Sequence, residues 1–275
     1  MRNRLVIVAA ATLAAAACSR PKSEERAFQW TGELPAGAVL HLRDGAGDIV
    51  VRRATGQTAM VSGSRHWQRG RAKDVRFVVT HNGNDFYLCA MWRFSGHCAA
   101  NGYKGRQTNG LLTMFSLFHR GSDAVADIVA EVPANVVVDA STHVGSVQID
   151  GMTAGVTAKT TSGMVQASNV SGPVSLTTTN GNVHLSSDSL AASDEIRLLT
   201  TRGTIHAELP ASLDGAFDLS TLNGTVRSDL DIPSTGQSRR GRHLQGQIGS
   251  STRVVRMHAV NGAVTLLTRA AAANH

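Results

Sequence analysis

A glycine recurs at nearly regular intervals through the second half of this 275-residue chain, and this spacing constrains the fold more than any other feature. The first two intervals are 18 residues and the later ones are 22, 21 and 38 residues; the glycines are Gly145, Gly163, Gly181, Gly203, Gly224 and Gly262. A fixed period of about 20 residues is typical of solenoids, in which each repeat packs mainly against its neighbours. Residues 128–268 are therefore predicted to form a stack of repeats.

The residues around each glycine follow one frame. Apolar residues stand seven and five positions before it and, in most repeats, two and four positions after it. A spacing of two indicates strands with one buried face, and the Asn-Gly pairs at Gly181, Gly224 and Gly262 favour tight turns. Each repeat, called a rung here, is thus predicted to contain two short strands joined at the glycine. The residues predicted to point inward two positions after the glycine are Val147, Val165, Val183, Ile205, Val226 and Val264.

The fold class predicted from this frame is all-β: a single-domain β-solenoid, or parallel β-helix-like stack of short strands. An ordinary antiparallel meander with chance glycine spacing is the alternative, but six aligned frames favour the stack. Residues 38–53 repeat the frame around Gly47, so they are predicted to form a divergent N-terminal rung. Residues 75–91 alternate in polarity on both sides of Asn82-Gly83, which predicts a hairpin.

The frame Thr-x-x-Gly-x-Val-x-apolar resembles the bacterial putative-adhesin family of β-strand repeats, a domain of unknown function related to adhesin head domains. Residues 129–133, the last strand before the regular repeats, are similar to that family as well. So are residues 87–92 together with Cys98. The resemblance covers about residues 38–267. It implies an exported, β-solenoid-like protein, and it supplies no catalytic residues.

Residues 1–17 are predicted to be a signal peptide, because Arg2 and Arg4 precede an apolar run that is too short to span a membrane stably. Small residues directly before Cys18 look like a lipobox, although Ala15 stands where leucine is usual. We therefore expect Cys18 to be acylated; the alternative is plain signal cleavage with a spare thiol. Ser19 then suggests an exported, lipid-anchored protein of the outer membrane that faces the periplasm or the cell surface.

The remaining chain divides by composition. Residues 18–27 are predicted to be a flexible lipidated tether, and residues 28–127 a divergent β part that contains the hairpin and a cysteine-containing insertion. Residues 96–121 are interpreted as a cap on the stack, or as the apolar lip of a binding site. Within the solenoid, residues 232–251 read as a basic loop excursion, and residues 269–275 as a tail.

Cys89 and Cys98 are predicted to form a disulfide. If Cys18 carries lipid, these two cysteines are the even pair that remains, and the exported compartment is oxidising. A reactive thiol or a metal pair with His97 is the alternative.

The chain is basic, with a formal charge of +7 that falls to about +5 when Arg2 and Arg4 leave with the signal peptide. An exported basic protein is expected to meet anionic envelope glycans or lipids rather than nucleic acid. Arginine forks suit phosphate and carboxylate groups. The candidate binding residues are Arg65, Trp67, Arg69, Arg71, Arg239, Arg240 and Arg242. The alternative for the first group is a solvated loop or a charged edge strand that discourages edge pairing.

His184 and His206 occupy the same frame position in successive rungs, so we expect them to stack on the outer face. Two imidazoles are too few for a tight metal site, and no metal or other cofactor is predicted. The acidic residues form no aligned pair of the kind that polysaccharide-cleaving β-helices need. The predicted function is a non-enzymatic binding, adhesin-like or scaffolding protein. The alternatives are a carbohydrate-active β-helix enzyme that acts on acidic polysaccharide, and an envelope sensor that docks another protein.

Overall fold

The computed structural model describes residues 23–67, 72–92, 97–99, 102–104, 123–190, 194–237 and 242–269. Within these ranges the fold is all-β, as predicted, with 23 strands and one short 3-10 helix, Ala72–Asp74. The strands before the regular repeats are β1 (Ser23–Glu33), β2 (Val39–Arg43), β3 (Ile49–Arg53), β4 (Thr58–Trp67), β5 (Val75–Asn82), β6 (Asp85–Trp92), β7 (His97–Ala99), β8 (Gly102–Lys104) and β9 (Val125–Val132).

The repeat region supplies the other strands, two in most rungs. They are β10 (Val137–Val144), β11 (Val147–Asp150), β12 (Val156–Ser162), β13 (Val165–Ser168), β14 (Val174–Asn180), β15 (Val183–Ser186), β16 (Glu195–Arg202), β17 (Ile205–Pro210), β18 (Gly215–Asn223), β19 (Val226–Ser228), β20 (Ser234–Gln237), β21 (His243–Ile248), β22 (Val254–Asn261) and β23 (Val264–Arg269). β7 and β8 pair only with each other, and the remaining strands form two long sheets.

Each rung contributes one strand to each sheet, and successive rungs pair in parallel. Sheet one runs β1-β4-β9-β3-β11-β13-β15-β17-β23-β19, and sheet two runs β20-β21-β18-β22-β16-β14-β12-β10-β2-β6-β5. The parallel register joins frame position to frame position, for example Val147 to Val165 to Val183. The predicted β-solenoid is confirmed, and the antiparallel meander is excluded for the rungs themselves.

The core lies between the two sheets. Val147 and Val165 are fully buried and Val183 is 1 % exposed, while Gln166 faces outward and is half-buried. The inward and outward assignment predicted from the frame is therefore correct. Most of the buried apolar residues of both sheets form one continuous hydrophobic cluster, and a second, small cluster around Val75 and Trp92 is separate from it. A single rung cannot bury its own apolar face, so the stack itself makes the core.

The N-terminal rung is part of the stack. β2 and β3 pair in parallel with β10 and β11, so the predicted rung at 38–53 lies directly beside the first regular repeat. About 80 residues separate the two rungs in the sequence, but the rungs are neighbours in space. The predicted hairpin is also present, since β5 pairs antiparallel with β6 and Gly83 takes a φ of 59° at the turn. β6 then continues sheet two beyond β2.

Three expectations are corrected. Residues 232–251 are not simply a loop, because β20 and β21 form a hairpin there and β21 pairs antiparallel with the otherwise open edge of β18. Residues from Ser23 onward are not a flexible tether, because β1 begins there and pairs with β4. Residues 65–67 are neither a loop nor an edge strand, since β4 lies between β1 and β9. In each case the polar side chains suggested a segment whose backbone is hydrogen-bonded to water. Strand pairing instead provides hydrogen-bond partners for these backbone groups.

The order of the rungs also differs from the chain order. β22 lies between β16 and β18, and β23 lies between β17 and β19. The rung around Gly262 is therefore inserted between the rungs around Gly203 and Gly224. The long last interval reflects the capping hairpin and this return, and not a rung plus a loop.

A ladder of threonines runs through the corners of the stack. Each buried threonine, three residues before the glycine, donates its hydroxyl to the glycine carbonyl of the preceding rung in space. The pairs are Thr142 to Gly47 (3.0 Å), Thr160 to Gly145 (2.9 Å), Thr178 to Gly163 (3.0 Å), Thr200 to Gly181 (3.0 Å) and Thr221 to Gly262 (2.8 Å). The hydroxyl explains why the frame keeps a polar residue in a buried position.

Ala259 interrupts this ladder, so Ala259→Thr is expected to stabilise the protein. Ala259 is 5 % exposed and lies in register between Thr200 and Thr221. The hydroxyl of a threonine at this position would face the Gly203 carbonyl. One added buried hydrogen bond contributes about 1 kcal/mol. Urea unfolding would measure the gain. Ala259→Val has the same shape without the hydroxyl, and an equal gain in both variants would contradict the ladder.

Candidate functional site

The outer face of sheet two carries most of the charged and histidine contacts in the described residues. The parallel register aligns the residues six positions before each glycine into one column across this face. In spatial order the column contains His41, Asp139, Thr157, Ser175, Arg197, Arg256 and Asp218. Its two ends are charged and its middle is small and neutral. We define the N-terminal cluster as His41, Arg43, Asp85, Tyr87 and Asp139, and the C-terminal cluster as Asp218, Ser220, His243 and His258.

The N-terminal cluster links three strands. Nδ1 of His41 lies 2.8 Å from Asp139 Oδ2, and Nε2 lies 3.3 Å from Asp85 Oδ1. The guanidinium of Arg43 forms an ion pair with Asp139 and donates to its backbone carbonyl at 2.6 Å. The Tyr87 ring stacks on the His41 ring with centroids 4.4 Å apart. These contacts connect β6, β2 and β10 across the outer face.

Asp139 is held in its charged form. Burial raises the pKa of this carboxyl, but the hydrogen bonds and positive charge of Arg43 and His41 outweigh burial and lower the pKa below its usual value. A carboxylate whose oxygens already accept from an arginine and face an imidazole is a poor general base. The N-terminal cluster therefore acts as a polar connection between the hairpin and the stack.

The C-terminal cluster surrounds Ser220. His243 on β21 and His258 on β22 are its cross-strand neighbours on either side. Ser220 Oγ lies 2.5 Å from His258 Nδ1, and Asp218 lies 3.2 Å from His243 Nε2 and 3.6 Å from His258 Nε2. The residue types are those of a nucleophilic triad.

An oxyanion hole is missing from this arrangement. β18 lies between β21 and β22, so the backbone N–H groups next to Ser220 are committed to the two ladders. The side chains of Asp218, His243 and His258 are also more than one-third exposed on an open face. The cluster is better suited to polar recognition than to acyl transfer.

A shallow depression separates the two clusters. It has a volume of about 190 Å³, and its lining includes Val137, Gly155, Pro173, Glu195 and Arg197. Glycine and proline leave room over two rungs, and Arg197 and Glu195 form the wall on one side. This volume is below the 300–1,000 Å³ that is usual for small-molecule sites. A second depression, of about 350 Å³ beside Asp218, Gln247 and Arg256, reaches only the lower end of that range, so the face offers a contact surface more than an enclosed pocket.

The family of this chain follows from its repeats. The family model described as Toastrack DUF4097 matches residues 119–267, more than half of the chain. The chain belongs to the Toastrack DUF4097 family. The predicted resemblance to adhesin-like β-strand repeats is thereby confirmed, and the match covers β9 and the rungs from β10 to β23.

Solved structures similar to the Toastrack chain include two bacterial proteins. One is described as a putative cell adhesion protein from Clostridium sporogenes, with 14 % identity, a TM-score of 0.48, and coverage of 90 % of this chain and 100 % of that chain. The other is described as a putative adhesin from Bacteroides fragilis, with 11 % identity, a TM-score of 0.34, and coverage of 91 % and 98 %. Among curated proteins, none matches. The part of the Toastrack chain that the structure describes contains no helix with the length and hydropathy that a membrane crossing requires.

The two candidate histidines stack as predicted. The His184 and His206 rings are parallel within 8°, with centroids 5.2 Å apart, and His206 Nε2 lies 3.1 Å from Glu208 Oε1. Burial, and then the charge of His206, lowers the pKa of His184. In the described ranges, no group of three or more His, Cys, Asp or Glu side chains could hold a metal ion.

The candidate arginines are not brought together. Arg65 and Trp67 are half-buried in β4, and Trp67 packs against the small cluster of Val75 and Trp92. Arg242 donates to the Leu222 carbonyl at 3.0 Å beside β18, at the opposite end of the stack from β4. The candidates outside the described residues are Cys18, Arg69, Arg71, Arg239 and Arg240. Most of the predicted cap at 96–121 also lies outside them.

The predicted disulfide is present. Cys89 in β6 is bonded to Cys98 in β7, with Cα atoms 6.0 Å apart. The bond ties the small β7–β8 sheet to the buried end of β6, and it excludes a pair of free thiols at these positions.

Sequence reasoning missed the two clusters, although aligning the sixth position before each glycine would have revealed charged residues at both ends of the column. It also missed Asp44, which precedes the N-terminal corner. Asp44 is 2 % exposed; its Oδ1 accepts from the N–H groups of Gly45 and Ala46, and its Oδ2 has no hydrogen-bond partner among the residues that the structure describes. Burial, together with the negative charges of Asp127 and Asp48, raises the pKa of Asp44 well above its usual value despite these two backbone bonds.

We expect Asp44 to make the Toastrack chain less stable as the pH rises. Above the ordinary Asp pKa of about 3.9, the unfolded chain releases the proton while folded Asp44 keeps it, so stability falls until the raised pKa is reached. Asp44→Asn keeps the shape and removes the charge. Urea unfolding would measure the free energy of unfolding of this variant relative to the unsubstituted protein. We expect that difference to be about 1–3 kcal/mol more favourable at pH 8 than at pH 4. Exposed Asp229→Asn is the control, and an Asp44→Asn effect that is the same at both pH values would contradict the assignment.

Proposed function

We propose that this protein is a lipid-anchored component of the bacterial cell envelope that binds other envelope molecules through the outer surface of its stack, as an adhesin-like or scaffolding protein without catalytic activity. The observation that carries the proposal is the open outer face of sheet two, with a polar cluster at each end, a shallow depression between the clusters and a second one beside Asp218. A rigid stack of parallel rungs presents such a face without rearrangement, which lowers the entropic cost of binding.

The anchor is assigned to Cys18, on the small residues that precede it and the signal-like segment at 1–17. Cys18→Ser should abolish fatty-acid labelling and release the protein from membranes on fractionation. Fatty-acid labelling that persists in the Cys18→Ser variant would contradict Cys18 as the lipid anchor. It would leave the proposed binding role of the outer face unchanged.

The ligand class is proposed to be anionic lipid or glycan. Leu222 is 63 % exposed and Val260 39 % exposed, and they are neighbours in register at one edge of the outer face. Arg242 donates to the backbone of Leu222, and exposed Arg202 occupies the same corner ridge. Apolar tips beside arginines suit a surface of phosphate or carboxylate groups over hydrocarbon. Arg239 and Arg240 shortly precede Arg242 in the sequence and would add to the charge.

Cosedimentation of the purified protein with vesicles tests the ligand class. We expect binding to vesicles rich in phosphatidylglycerol, weaker binding to phosphatidylcholine alone, and a steep loss with salt because screening shortens to about 3 Å at 1 M. Replacing Arg239, Arg240 and Arg242 by Gln should weaken binding by about 1 kcal/mol for each arginine. The matched control replaces three exposed arginines elsewhere, Arg52, Arg53 and Arg227. Equal losses of vesicle binding in both triple variants would mean that only the net charge of the protein matters. That result would contradict a local binding site.

A further inference from the structure

The rung β22–β23 has neighbours on both sides that come before it in the chain. β22 pairs in parallel with β16 on one side and β18 on the other, and β23 pairs with β17 and β19 in the same way. We call residues 254–269 the inserted rung. Along the chain, the capping hairpin comes before the inserted rung. The chain then returns from the hairpin to a position between two rungs that precede it in the sequence.

The rung β18–β19 has the same frame as the rung β16–β17 on the other side of the inserted rung. Phe217 and Leu219 now face Val255 and Met257, which in turn face Ile196 and Leu198 in the same frame. Without the inserted rung, these apolar columns would still meet in register. The hydroxyl of Thr221, now bonded to the Gly262 carbonyl, would face the equivalent carbonyl of Gly203.

The seam between β16 and β22 is the less well-matched side of the inserted rung. Arg197 lies directly opposite Arg256, and like charges in that position are unfavourable. Glu195 partly offsets them, at 3.0 Å from Arg256 and 3.7 Å from Arg197. If β18 moved against β16, Arg197 would instead face Asp218, its opposite in charge. At the corner of this seam, Ala259 lacks the hydroxyl that the other rungs use.

One buried side chain secures the start of the inserted rung to the turns on both sides. Arg253 is 4 % exposed, and its guanidinium donates to the Leu190 carbonyl at 2.8 Å and to the Asp214 carbonyl at 2.7 Å. Leu190 precedes β16 and Asp214 precedes β18, so Arg253 connects both walls of the gap that the inserted rung fills. The insertion is therefore held by end contacts as well as by strand pairing.

We propose that the inserted rung is exchangeable, and that the position it fills is a binding site for the same rung of a second copy of this chain. The partner must offer two short strands joined at a glycine, with apolar residues inward and the same spacing, and residues 254–269 of another copy meet every requirement. Exchange preserves each strand-pairing and core contact, which makes it a low-cost route to association. The proposal does not depend on the anionic ligand, and it would join neighbouring copies in the envelope.

Cysteine trapping between two populations of the whole protein tests this exchange. Both populations carry Cys18→Ser, so that only the engineered thiols are free. One carries Arg197→Cys and the other Arg256→Cys; these positions are cross-strand neighbours about 4.8 Å apart, within disulfide reach. After joint incubation in mild urea and return to buffer, oxidation should give disulfide-linked dimers that are seen on non-reducing gels.

The matched control uses Thr157→Cys with Ser175→Cys, cross-strand neighbours on rungs that are consecutive in the chain. We expect several-fold more dimer from the first mixture, and equal yields would overturn the proposal. A further mixture of Val254→Cys with Ala216→Cys probes the other seam of the inserted rung. Dimers in this mixture too would establish that the rung moves alone. The absence of these dimers would show that the exchanged segment is larger and includes β18. That result would contradict the proposal that residues 254–269 alone are the unit of exchange.

Discussion

Val165→Asp is expected to destabilise the protein by about 3–5 kcal/mol, because it places an unpaired carboxylate in a fully apolar column. Val165 is completely buried between Val147 and Val183, with no exposed neighbour on its face of the sheet. A loss of this size approaches the whole stability of many domains. We expect the midpoint of urea unfolding to fall sharply, or the protein to fail to accumulate.

Gln166→Asp is the matched control, because it introduces the same carboxylate one residue further along. Gln166 points outward and lies in register between Gln148 and His184, so the charge stays in water beside an imidazole. We expect a change of less than about 0.5 kcal/mol. Equal losses for the two variants would mean that the strand register is wrong by one residue.

Gly163→Ala is expected to destabilise the protein by about 2–4 kcal/mol, because it adds a methyl group where two backbones approach closely. Gly163 has a φ of 148°, and a Cβ there would lie 2.0 Å from the carbonyl oxygen of Gly145 in the next rung. The obstacle is backbone that is itself held in two ladders, so no side chain can move aside. Thermal unfolding should show a lowered midpoint.

Gly56→Ala provides the comparison, since a Cβ at Gly56 would meet nothing within 4 Å. We expect its effect to stay within about 0.5 kcal/mol. If Gly163→Ala proved as mild as Gly56→Ala, the rungs would have to be further apart at their corners than the structure has them.

Much of the fold could be predicted from the repeat. The alternation around each glycine correctly identified the inward position of Val165, the stacking of His184 on His206, and the rung at 38–53. These assignments depend on period and polarity, which a strand with one buried face imposes directly on its sequence. The Cys89–Cys98 bond followed from parity and compartment alone.

The candidate site was less accessible to sequence reasoning. Arginine clusters along the chain suggested binding strips, but Arg65 lies half-buried within β4, and Arg242 lies at the opposite end of the stack. The polar clusters combine residues that are distant in sequence, such as His41 with Asp139. Asp44 has no recognisable pattern, because its burial depends on the packing of β9 and the corner around it.

The sequence by itself determined that this chain forms a two-sided stack, which side chains face inward, and where each rung turns. Only the tertiary structure decided the order of the last rungs, the capping hairpin, and the place of β4 between β1 and β9. The physical reason is that every rung presents the same pattern to its neighbours, so pairing any two of them satisfies the local rules equally well. The choice then falls to contacts that are not repeated, such as Arg253 bridging Leu190 and Asp214, and these are visible only once the chain has folded.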